Sequence, residues 1–168
     1  SMEILYFTDK ADEFLSDILH TYQDKPFRSV TDGDLELPGE EKKDGDNERY
    51  KEAFAFIKDA LDGAVDEVKV STRLKDHPVC LSADGPLSIE MEKVLSKQPG
   101  SEGVKSDKVL ELNVNHPVFA ALKAAQEAGD TEKLNKYSAL LYAQAQLIEG
   151  LPVDDPAAYA EAVCSLMK

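Results

Sequence analysis

The chain has 168 residues, 42% hydrophobic and 31% charged, enough for one domain with a full core or a domain plus part of another. Acids outnumber Lys and Arg by 33 to 19, a formal net charge of −14, which argues against a nucleic-acid surface, where basic groups must prevail locally to displace counterions from phosphate. No run approaches the ~18 apolar residues of a membrane span, and the 2 cysteines and 3 histidines show no metal-ligand spacing.

In chain order, "EILYFTD" (Glu3 to Asp9) is a β-prone run. It leads into "DEFLSDILHTY", which places Phe14, Leu15, Ile18 and Leu19 on one helical face. A strand feeding a helix is expected. The stretch "DGDLELPGEEKKDGDNE", residues 32–48, carries many acids, three glycines and a proline with few apolar side chains, so it reads as a solvated linker. "RYKEAFAFIKDALDG" spaces Phe54, Ile57 and Leu61 as a helix that ends at Gly63. Two β-prone runs follow, "VDEVKVSTRL" and "VCLSA", expected to pair as a hairpin.

"DGPLSIEMEKVLSKQPG" puts Leu87, Met91, Val94 and Leu95 at the steps of an amphipathic helix starting near Ser88. "KVLELNV" is a third strand. Asn115 then offers an N-cap ahead of Pro117, with Gly129 as terminator. The longest helix runs from Asp130 or Thr131 to Gly150, and the last starts at Asp154 or Asp155 with Pro156 in its first turn.

No phosphate-cradling loop, nucleophile elbow, zinc-protease helix or dinucleotide fingerprint is present. One constellation with possible chemistry is "KDHPVC", where Asp76, His77 and Cys80 would make a small cysteine-dependent hydrolase. The competing reading needs only a turn histidine and a packed strand cysteine. Both thiols read as small buried hydrophobes of a reducing compartment. The Asp44 and Asp46 cluster lacks calcium-loop spacing. The Leu87, Met91, Val94 and Leu95 stripe fits either a core contact or an adaptable binding surface. On the long helix Leu134, Tyr137, Leu141, Ala145 and Ile148 form one stripe, which Leu140 and Leu147 widen beyond what one small sheet covers. Tyr159, Ala162, Val163 and Leu166 form the matching stripe on the last helix.

Taken in order, "STRLKDHPVCLSADG", "VLELNVNHP", "LLYAQAQLIEG" and "DDPAAYAEAV" resemble the C-terminal dimerisation domain of the heat shock protein 90 chaperones in its bacterial form. "LYFTDKADEFLSDILHTYQDKPFRSV" is similar to the end of that family's middle domain. Residues 1–31 would then be the middle-domain end, 32–48 an acidic linker and 49–168 the dimerisation domain. The implied fold is α/β (α+β): a small three-stranded sheet packed with helices, a strand–helix remnant, and two terminal helices forming an intermolecular four-helix bundle.

The resemblance implies an ATP-driven homodimeric folding chaperone. ATP and magnesium would bind in a missing N-terminal domain, and the fragment itself would carry no catalytic residue, metal or cofactor. Leu134, Tyr137, Leu141, Ala145, Ile148, Tyr159, Val163 and Leu166 are the expected dimer contacts. Glu13, Phe14, Leu87, Met91, Val94 and Leu95 are the expected contacts to unfolded client proteins. Ala143 and Gln146 depart from the aspartate and leucine common in relatives. No acidic co-chaperone-recruiting tail follows "SLMK", so tail-dependent partners are not expected, nor are nucleic acid or membrane. Ser1 before Met2 reads as a tag scar on an excised segment, and with no leader or lipidation signal the cytoplasm is the expected location.

Overall fold

The computed structural model describes residues 3–29, 44–100 and 103–167. Helix α1 (Lys10–Leu19) starts with a capping box, the Asp9 carboxylate accepting from the Ala11 amide at 2.9 Å while Asp12 accepts from the Asp9 amide at 3.0 Å. Strands β1 (Thr21–Tyr22) and β2 (Lys25–Pro26) form a minimal hairpin. Its two turn residues, Gln23 and Asp24, take φ of 49° and 62°, the left-handed pair that suits the twist of a tight hairpin. The strand expected over Glu3 to Asp9 does not form. No described strand lies beside it to take its backbone groups, and Ile4, Leu5, Tyr6 and Phe7 are exposed.

Residues 32–43 of the expected linker lie outside the described residues, and 44–48 are helical. Helix α2 (Asp44–Arg49) places the Asn47 side-chain oxygen where it accepts from the Val70 amide at 2.8 Å. Helix α3 (Lys51–Ala60) buries Ala53, Phe54 and Ile57, and Gly63 at φ 79° turns the chain after it, a conformation that costs glycine little. Strands β3 (Glu67–Val70) and β4 (Val79–Asp84) follow, then α4 (Ile89–Leu95), whose Ser88 cap accepts from the Met91 amide at 3.0 Å.

Strand β5 (Asp107–Leu112) completes the sheet, and helices α5 (Pro117–Glu127), α6 (Thr131–Ile148) and α7 (Pro156–Ser165) end the fold. The cap of α5 is His116, one residue later than expected. Its ring Nδ1 accepts from the Val118 amide at 3.2 Å, while the Asn115 amide donates to Asn113. Asp130 and Asp155 cap α6 and α7.

The spatial order is β3-β5-β4, with β3 parallel and β4 antiparallel to the central strand. The expected β3–β4 hairpin is therefore corrected: β5 lies between them, and the residues between β3 and β4 span its end. Asn113 holds that crossing, its amide donating to the carbonyls of Lys75 at 3.0 Å and His77 at 3.2 Å. Register aligns Val68, Leu110 and Leu81 in one row and Val70, Leu112 and Val79 in the next, so one face is continuous hydrocarbon. Side chains of α3, α5 and α6 cluster with it in a core where Ile57, Leu81, Leu110, Leu112 and Leu122 are fully buried. Each such side chain contributes about 1.5–3 kcal/mol on burial. Helix α7 packs on α6 and has no buried residue.

Candidate functional site

On the sheet face opposite the core, β5 places Glu111 in register with Cys80 of β4. The Glu111 side chain is 4% exposed, and its carboxylate is fully engaged. Arg73 donates from Nε to Oε2 at 3.1 Å and from Nη2 to Oε1 at 2.9 Å. The Ser71 hydroxyl donates to Oε2 at 2.9 Å and that of Ser82 to Oε1 at 2.8 Å. Burial alone would lower the Arg73 pKa, but the charge and hydrogen bonds of Glu111 raise it, so the guanidinium is fixed as a cation. The bidentate fork ties the β3–β4 crossing to the central strand.

A second ion pair positions α4. Lys108 donates from Nζ to both Glu92 oxygens at 2.8 and 2.7 Å, and Ser106 adds its amide at 2.8 Å and its hydroxyl at 2.6 Å to Oε2. Burial opposes ionisation of Glu92, yet these donors together hold its pKa below the usual carboxylate range. Ile89 of α4 enters the core, and Lys93 donates to the Glu149 backbone carbonyl and to the Glu90 carboxylate. Burial pushes the Glu149 carboxyl up, against the pull of Lys93.

These contacts remove the hydrolase reading. Burial and the adjacent Glu111 charge push the Cys80 thiol up to about 12, and the thiol donates to Glu111 Oε2 at 3.8 Å. A nucleophilic cysteine needs the reverse, a thiolate favoured by a neighbouring base or cation. The His77 side chain is exposed, and its structural contribution is its backbone carbonyl.

Among the expected client contacts, Phe14 is exposed, and the side chain of Glu13 lies outside the described residues. Leu87, Met91, Val94 and Leu95 are all half-buried, because Ile89 rather than the stripe anchors α4. Helix α1 approaches α4. The expected dimer contacts divide. Leu134, Leu141 and Ala145 lie in the chain's own core at 4%, 3% and 0% exposure, and half-buried Tyr137 packs against it, so the first three have almost no surface for a second chain. Tyr159 and Val163 are half-buried, while Ile148 and Leu166 are about half exposed, as is Leu147, and Met167 is largely exposed; the expected contact set omitted the last two.

The turn before α4 does not make a phosphate cradle. Gly85 is the glycine that precedes α4, but a Cβ there would meet the Asp107 carboxylate at 3.2 Å, and α4 carries Glu90 and Glu92 in its first turn. Phosphate would meet negative charge where it needs amides and cations. Among the described residues no helix is long and apolar enough to cross a membrane.

The Hsp90 protein family model matches residues 1–168, and the chain belongs to that family. It is 52% identical over 169 residues to the Chaperone protein HtpG of Clostridium botulinum (strain 657 / Type Ba4), covering 99% of this chain. It is 53% identical over 167 residues to the Chaperone protein HtpG of Clostridium acetobutylicum and 52% identical over 167 to that of Halalkalibacterium halodurans. The chain spans 27% of the length of each of these relatives.

Proposed function

We propose that this chain is the dimerisation and client-contact region of a homodimeric, ATP-driven folding chaperone whose nucleotide site lies outside these residues. The observation that carries the reading is α7: it buries no residue within its own chain, while Leu147, Ile148, Leu166 and Met167 are 51%, 49%, 51% and 81% exposed. A two-fold axis bringing a second α6–α7 pair against the first covers these residues in both chains and gives a four-helix bundle. Kinship with proteins named as chaperones supports the same reading.

Sedimentation of the chain across the micromolar range tests the dimer, with a single monomeric species as the refuting result. The client surface is α4, held by its ion pair so that the half-buried Met91 and Leu95 present adaptable hydrocarbon without demanding a sequence register. Changing Met91 and Leu95 to serine is expected to weaken binding of a permanently unfolded protein while leaving the chain folded. A loss of several kcal/mol of stability would instead mark the stripe as core, since core truncations each cost about 2–5 kcal/mol. Calorimetry with Mg-ATP is expected to show no saturable heat for this chain.

A further inference from the structure

Helix α4 is short, and three contacts fix it. Ile89 enters the core and Glu92 clamps Lys108 and Ser106, both of which tie it to the sheet. Lys93 points elsewhere. Its ammonium donates to the backbone carbonyl of Glu149, the residue that closes α6, and its side chain is 18% exposed. The last carbonyls of a helix have no partner within it, so an ammonium there satisfies an acceptor and opposes the negative end of the helix dipole.

Beyond Glu149 the backbone turns at Gly150, φ 70°, and seats Leu151, whose amide donates to the Gln146 carbonyl at 2.8 Å. Asp155 then caps α7. The carbonyl that Lys93 grips lies at the base of the connection that aims α7.

We propose that Lys93 is a strut coupling α4 to the α6–α7 connection, so that an apolar segment bound on α4 alters how α7 is presented to a second chain. The proposal rests on the client reading for the ligand and on the dimer reading for the second chain; the strut itself belongs to this chain. Coupling of this kind is reciprocal, so a second chain on α7 changes affinity at α4 by the same factor.

Hydrogen exchange on the 168-residue chain tests it, comparing wild type with Lys93→Met, which keeps the stem and loses the ammonium, and Lys93→Arg, which keeps a cationic donor. The expected result is roughly tenfold faster exchange over 147–151 and the first turn of α7 in Lys93→Met, the order set by one charged hydrogen bond, with Lys93→Arg close to wild type. Faster exchange confined to 89–95 overturns the proposal. So does uniformly faster exchange that includes β5, which would make Lys93 a general support of the fold. Adding a reduced, carboxymethylated unfolded protein to wild type is expected to change protection at both α4 and 147–151, and protection of α4 alone overturns the coupling. If α4 gains no protection the client reading fails, and the variant pair still decides the strut.

Discussion

Replacing Arg73 with methionine leaves the Glu111 carboxylate where only 4% of its side chain meets water, with the hydroxyls of Ser71 and Ser82 as remaining strong donors. Removing one member of a buried pair costs about 3–5 kcal/mol, because the survivor stays desolvated without its counter-charge. Arg73 is itself 22% exposed, so water reaches part of the vacated space and the expected loss is ~3 kcal/mol, at the lower end of that range. At about 2–4 °C per kcal/mol for a chain of this size, Tm falls by roughly 6–12 °C. Urea unfolding followed by far-ultraviolet circular dichroism reads the free energy directly. The pair Arg73→Met with Glu111→Leu removes both charges and is expected to recover at least about half of the loss. A single-variant loss under about 1 kcal/mol, or a double variant no more stable than the single one, refutes the reasoning.

Further outcomes follow from the contacts described above. Because the folded Cys80 thiol is pushed up to about 12 from an ordinary 9.0, its contribution to stability is complete below pH 9.0 and disappears as pH rises towards 12. Cys80→Ala should flatten that alkaline decline in a pH series of denaturation midpoints. Glu92 has the opposite sign: its lowered pKa contributes stability above the usual carboxylate range and loses it as pH falls through the folded value, so Glu92→Gln should destabilise at neutral pH and match wild type in acid. Leu141→Asp should unfold the chain by burying an unpaired carboxylate, whereas Leu166→Asp should leave circular dichroism unchanged and produce monomer in sedimentation. Asp155→Ala removes the α7 cap, with an expected helix cost of ~1 kcal/mol read as faster exchange in its first turn.

Local chemistry was legible because it is written within a few residues. Ser88, Asp130 and Asp155 cap the helices where their spacing predicts, and Gly63, Gly129 and Gly150 adopt positive φ at the ends of theirs. Pairing was not legible in the same way. β-prone runs 65–74 and 79–83 look like hairpin neighbours, yet each finds its partner in β5, tens of residues downstream, where Leu110 and Leu112 meet apolar residues from both sides. The α6 stripe was ambiguous for a related reason: periodicity groups Leu134, Leu141 and Ala145 on one face without saying whose atoms that face meets, and these three side chains meet the core of their own chain. The Glu111 network was missed altogether, although a signal existed. A strand reading "KVLEL" carries two charges in an otherwise apolar run, and such charges persist in a buried strand when opposite charge and hydroxyls surround them.

Of the three strands in the β3-β5-β4 sheet, the last to be synthesised is the one that joins the other two. Among the described residues β3 and β4 each pair with β5 alone, so until Leu112 has been made neither outer strand has its sheet partner, and the rows Val68–Leu81 and Val70–Val79 have a gap where Leu110 and Leu112 belong. Closing that gap requires a loop from β4 through α4 to β5, so the entropy of ordering α4 falls on the step that completes the core. During synthesis, the growing chain therefore carries two unpaired strands and their hydrocarbon until the middle strand arrives, an exposed, aggregation-prone stage of its own folding.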